Sequence, residues 1–180
     1  MTNRKPLLPS SLMTSRTGRG RRPRGIVALL LVLALIFSYV AMQGKVVRVD
    51  DGDTVSIFTR EGALQKVRLY GIDCPEYKQR GGREAAAFTR NAALRHTVKL
   101  SVMDRDRFER VVALVRLSDG RILNEELLRA GHAWVYRDYC LQPFCQSWIA
   151  LEQEARCAKR GLWADANPQP PWHWRQQHPR

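Results

Sequence analysis

An uncharged apolar run over residues 26–42, Ile-Val-Ala-Leu-Leu-Leu-Val-Leu-Ala-Leu-Ile-Phe-Ser-Tyr-Val-Ala-Met, constrains this chain more than any other feature. A helix apolar on every side has no face to offer water, so the run cannot serve as a surface helix of a globular domain. Its length lies at the lower edge of what spans a bilayer. Residues 1–25 before it carry Arg4, Lys5, Arg16, Arg19, Arg21, Arg22 and Arg24 and no acid. They read as a disordered basic arm. Two readings stand for the run, an uncleaved membrane anchor or a signal segment that is removed. The first is favoured because Tyr39, two positions before a cut after Ala41, is too large for a small-x-small cleavage site. Arg21, Arg22 and Arg24 would hold the amino end in the cytoplasm and leave everything after Met42 outside it. A cleaved segment would make the domain a secreted one.

Residues 44–164 read as one folded domain of ordinary size. Residues 44–49 form a strand that ends in the acidic turn Asp50-Asp51-Gly52-Asp53. Residues 54–59 alternate apolar and polar positions and suit a second strand, and residues 64–72 suit a third, halted by Pro75. Helical spacing covers 83–96. Residues 98–102 and 111–117 are strands around a charged hairpin at 104–110. Residues 123–130 and 146–160 are helices closed by Gly131 and Gly161. The segment 133–136 is extended. The tail over 165–180, rich in proline and glutamine, reads as disordered. About five strands with three helices point to an α+β domain built on a five-stranded OB-fold barrel, a frame often used for polyanions.

The formal net charge is +13. The arm holds only part of it, and the domain is basic in its own right, which favours nucleic acid or an anionic membrane surface as partner. Of the four cysteines, none forms a CxxC pair, which excludes the common zinc patterns. Cys140 and Cys145 flank a proline turn and would bridge in an oxidising compartment or stand as two thiols. Cys74 and Cys157 are read as unpaired.

The chemistry-bearing residues gather at strand ends. Asp53 closes an Asp-Gly-Asp turn and Asp73 ends the third strand. Were these ends neighbours, two hard oxygen donors would converge, suited to calcium or magnesium rather than zinc. Taken alone, the turn is ordinary hairpin chemistry. Glu76 follows across a proline and can orient or deprotonate a water at the same spot. Arg68 interrupts an apolar strand, so it faces solvent, an acid or a functional cavity. Arg110 follows the charged hairpin. Two guanidinium forks could clamp a phosphate and the added charge of a five-coordinate phosphorus. Each arginine alone is more ordinarily a surface charge.

Taken together, these stretches resemble the staphylococcal nuclease-like family. Carrying the likeness are residues 47–54 (Val-Arg-Val-Asp-Asp-Gly-Asp-Thr), 67–76 (Val-Arg-Leu-Tyr-Gly-Ile-Asp-Cys-Pro-Glu) and 106–110 (Asp-Arg-Phe-Glu-Arg), with 123–136 and 158–163 later in the chain. The resemblance implies an OB-fold barrel with three helices that hydrolyses DNA or RNA with calcium and leaves 3′-phosphate ends. It implies calcium held by Asp53, Asp73 and the backbone carbonyl of Cys74, with Asp51 in the outer shell. It implies catalytic roles for Arg68, Glu76 and Arg110, and substrate contacts near Arg107 and Tyr139. Cys74 and Glu109 depart from the residues common in the family, the latter from glycine. The leading expectation is a membrane-tethered, calcium-dependent endonuclease with no obligate protein partner. The alternative is a barrel of the same fold that binds nucleic acid without cutting it.

Overall fold

The computed structural model describes residues 42–179. Strands β1 (Met42–Val49), β2 (Thr54–Thr59), β3 (Leu64–Leu69), β5 (Thr97–Arg105) and β6 (Val111–Arg116) close a barrel in the order β1-β2-β3-β6-β5. A short β4 (Ile72–Asp73) leaves the barrel and pairs with β7 (Trp134–Val135). All barrel pairs are antiparallel except β3 with β6, which run parallel from Val67 opposite Val111 to Leu69 opposite Ala113. Helix α1 (Gly82–Ala93) lies between β4 and β5, and α2 (Leu123–Arg129) between β6 and β7. Then follow α3 (Cys145–Cys157), a 3-10 turn (Gly161–Ala164) and α4 (Pro171–Gln177). This is the expected OB-type closure, with helices added outside the barrel.

The alternation read from the sequence places Val46, Val55, Val67, Leu100 and Val115 inside, each fully buried. Closing the barrel leaves none of its five strands as a sheet edge. Asn124 joins α2 to this frame. Its amide nitrogen donates to the carbonyls of Tyr70 at 3.0 Å and Ala113 at 3.4 Å, and its oxygen accepts the Val115 N–H at 3.0 Å. These backbone groups lie where β3 ends, and the buried side chain satisfies those left over there; the Ala113 carbonyl also accepts the Tyr70 N–H at 2.9 Å. Buried Glu152 does the same for β7, accepting the Val135 N–H at 2.6 Å.

Three sequence expectations change. The third strand does not run on to Ile72, because Gly71 at φ +67° turns the chain, and a side chain there would meet the Cys140 sulfur at 2.7 Å. The barrel begins at Met42, which pairs with Leu100, so Met42 belongs to β1 and not to the apolar run. The tail is not disordered throughout. Residues 171–177 form α4, with Pro171 at its first position, where its missing N–H costs nothing. Of the two alternatives open for Cys140 and Cys145, the structure has the disulfide, and Cys74 and Cys157 are free thiols as expected. The basic arm 1–25 and the apolar run up to residue 41 lie outside the described residues. Among the described residues, no helix is long and apolar enough to cross a membrane.

Candidate active site

The site forms where three chain turns meet at one end of the barrel. The Asp50–Asp53 turn packs so tightly that a side chain at Gly52 would lie 2.7 Å from the Cys74 Cβ and 2.8 Å from the Ala85 Cβ. Thr89 of α1 fixes this turn by donating its hydroxyl to the Gly52 carbonyl at 2.5 Å. Asp51 accepts the Asp53 N–H at 3.1 Å. The Leu69 N–H donates to the Asp53 carbonyl at 2.8 Å, and the Cys74 N–H donates to Asp53 Oδ2 at 2.6 Å. The two acidic strand ends are thereby locked to each other.

Arg68 lies between them. Its Nη1 is 2.8 Å from Asp53 Oδ1 and its Nη2 is 2.8 Å from Asp73 Oδ1. A planar fork satisfies two carboxylates at once, which an ammonium could not do with the same geometry. The aspartate side chains are 6% and 1% exposed and that of Arg68 is 15% exposed. Burial pushes the Asp53 carboxyl up, with Arg68 opposing it. Burial also disfavours the Arg68 cation, but the flanking aspartates more than offset this and raise its pKa. Burial pushes the Cys74 thiol up as well, so the side chain stays a neutral packing group.

A second guanidinium, unforeseen from the sequence, reaches the same acids. Arg175 of α4 donates from Nη2 to Asp73 Oδ2 at 2.7 Å and from Nη1 to Asp73 Oδ1 at 3.2 Å and Glu76 Oε1 at 3.1 Å. Glu76 is therefore brought to the same cluster as Asp73. Gln79 steadies the Glu76 turn, accepting the Glu76 N–H at 3.2 Å. Its own amide donates to the Gln169 carbonyl at 2.6 Å. Burial disfavours the charge on Arg175, yet its bonds to Asp73 and Glu76 raise its pKa far above the ordinary value.

Arg110 immediately precedes β6, whose parallel register with β3 sets it beside the strand that carries Arg68. Its side chain is tied back to Asp106, Nε to Oδ2 at 2.6 Å, and lies over the Phe108 ring. It is placed next to the acid cluster's strand but directed into its own turn. Arg107 lies over the other reach of Phe108, with its guanidinium carbon 4.8 Å from the ring centre. Glu109 adopts φ +60°, the left-handed conformation that suits glycine. Tyr139 is 61% exposed and sits 4.5 Å, ring centre to ring centre, from Tyr136. Tyr136 is in turn stacked on Trp172 of α4, at 5.6 Å and 8°.

Arg175, Gln79, Thr89 and Tyr136 are the site residues that the sequence reading missed. Pro171 as a helix-starting proline was the one local signal for the element carrying Arg175.

A closed OB-type barrel with paired acids, a bridging arginine and a nearby glutamate at one end defines a class of barrel enzymes that act on phosphodiesters. The profile of the family described as staphylococcal nuclease homologue matches residues 66–165. A protein of Escherichia coli named an uncharacterized endonuclease is 40% identical over 148 residues, covering 80% of this chain and 94% of its own. A Haemophilus influenzae protein of the same name is 33% identical, covering 83% and 85%. A micrococcal nuclease of Shigella flexneri is 31% identical, covering 84% and 91%. The chain belongs to the staphylococcal nuclease family, and its activity is that of an endonuclease of this type.

Proposed function

We propose that the chain is a calcium-dependent endonuclease that hydrolyses phosphodiester bonds of DNA, RNA or both from a membrane-tethered position outside the cytoplasm. What carries the catalytic reading is the convergence of Asp53, Asp73 and Glu76 around guanidinium groups at one barrel end. The donor chemistry fits a hard divalent cation, because every acid present offers oxygen. Among the described residues, no three His, Cys, Asp or Glu side chains are set to hold a metal by themselves. Asp53 and Asp73 would therefore hold calcium together with the Cys74 carbonyl and water, with Asp51 in the outer shell. When bound, the ion would supply Lewis-acid polarisation of the phosphoryl oxygen and would order water.

The remaining steps belong to the chain's own residues. Glu76 orients the attacking water and takes its proton as the oxygen bonds to phosphorus. Arg68 turns its fork from the aspartates to the phosphate oxygens, and Arg110 joins it after leaving Asp106. Their charges then meet the negative charge that grows on the five-coordinate phosphorus. The 5′ oxygen departs and takes a proton from solvent water, leaving a 3′-phosphate end. Arg107 holds a neighbouring phosphate, and exposed Tyr139 offers a face on which a base stacks.

Tethering is supported by the basic arm before the apolar run, which follows the positive-inside pattern. The Cys140–Cys145 disulfide supports an oxidising compartment for the domain.

Incubation of the full chain with single-stranded DNA and with RNA, in calcium and in chelator, tests the catalytic reading. Calcium-dependent products with 3′-phosphate ends are expected. Chelator-insensitive binding without cleavage would replace the enzyme with a binding barrel. Protease accessibility of the domain in intact cells and in opened ones tests the placement.

A further inference from the structure

The segment after the 3-10 turn crosses the site, and its side chains take up the groups that a cation and a nucleotide would need. Both oxygens of Asp73 accept N–H groups from Arg175, and Nη1 of the same guanidinium also reaches Glu76. Three residues earlier, Trp172 lies nearly parallel on Tyr136, beside the exposed Tyr139. One turn of α4 thus sets a positive charge on the acids and a flat ring on the adjoining aromatic face.

We propose that residues 165–178 form an autoinhibitory strap, in which Arg175 competes with a divalent cation for Asp73 and Glu76 while Trp172 covers Tyr136. The inference rests on the nuclease reading of the site and adds a regulated state to it. The two cations exclude each other, because a divalent ion on Asp73 would lie within a few ångströms of a guanidinium at low solvent exposure, where like charges repel strongly. Arg68 also touches Asp73, but it is rooted in β3 of the barrel, its side chain 15% exposed, and can only turn. Arg175 can leave with its helix.

The attachment of the strap suits release. Pro171 alone of the α4 residues is buried. Elsewhere the strap is held by Trp172, packed edge-on against Trp134 as well as on Tyr136, by the Gln79 bond to the Gln169 carbonyl and by an ion pair of Asp165 with Arg80, whose side chain is 84% exposed. A cleft of about 440 Å³ lies beneath it, bordered by His132, Trp134, Gln169 and Trp174. By linkage, a cation that binds only the open form opens the strap, and a strap that closes weakens cation binding by the same factor.

Calorimetric calcium titration of the full chain tests this, with Arg175→Gln and Trp172→Ala beside the wild type. Arg175→Gln should bind calcium about tenfold more tightly, the scale of a charge-assisted contact pair. Trp172→Ala leaves every charge in place, so tighter binding in that variant reports strap release and not a local charge effect. In the wild type, trypsin should cut after Arg175 slowly in chelator and faster in calcium. Unchanged calcium affinity in either variant, or an Arg175 cut indifferent to calcium, would overturn the strap while leaving the nuclease reading intact. Absence of calcium binding in all three proteins would overturn both.

Discussion

Arg68→Ala separates two roles of one side chain, because its structural cost follows from the geometry before any substrate is present. The substitution strips the guanidinium from between Asp53 and Asp73, both almost wholly buried. Asp73 keeps Arg175, so the loss falls mainly on Asp53, left with the Cys74 N–H and the Thr54 hydroxyl. Breaking a buried ion pair from one side costs about 3–5 kcal/mol. Burial already raises the Asp53 pKa, so without Arg68 the carboxyl can relieve its charge by taking up a proton, which sets the lower end, about 3 kcal/mol. At about 0.3 kcal/mol per degree for a domain of about 140 residues, Tm should fall by about 10 °C. The assay is a thermal melt at neutral pH in chelator, repeated with calcium, which should return part of the loss by replacing the missing positive charge. Its pH dependence has a fixed sign. The folded variant binds a proton at Asp53 more tightly than the unfolded chain does, so its stability should rise as pH falls through the raised pKa. A Tm within about 3 °C of wild type would correspond to less than about 1 kcal/mol and would refute the bridging role.

Glu76→Gln should lower the cleavage rate by about a hundredfold or more at saturating calcium, with substrate affinity kept, in single-turnover assays; an unchanged rate would remove Glu76 from the proton transfer. Glu109→Gly should stabilise the fold by about 0.5–1 kcal/mol in denaturant melts, because glycine takes the left-handed conformation without the Cβ penalty. Burial works against ionised Asp106, but donors from the Arg110 side chain and from the Arg110 and Phe108 main chain outweigh it and hold its pKa low. Its contribution to stability is therefore complete above the ordinary carboxylate range and lost as pH falls through the lowered value. Asp106→Asn should flatten the acid limb of the stability profile.

The barrel was legible because β-strands reveal themselves locally, through alternation in residues 54–59, through the apolar run at 111–117 and through the turns between strands. Arg68 was legible for the opposite reason, as a charge in an apolar strand that demands a partner. Its two acids were visible as strand ends, though it takes the Gly52 turn packing against Cys74 and the Cys74 N–H bond to Asp53 to make them neighbours. The break of the third strand at Gly71 was hidden because Ile72 continues the apolar pattern. Asn124, Thr89 and Gln79 gave no signal, since each is defined by a backbone group that another element brings to it. Arg175 was hidden by composition. The prolines that make the tail read as unstructured include the one that starts α4, and the charge of Arg175 looks like solvent-facing charge until Asp73 is in view.

A structure determined with calcium, with the ion located by its anomalous scattering, bears most directly on the acid cluster as a cation centre. The account predicts one ion within about 2.3–2.6 Å of carboxylate oxygens from both Asp53 and Asp73, with Glu76 facing its water. An ion bound elsewhere, or an acid pair still closed around Arg68 at saturating calcium, would contradict it.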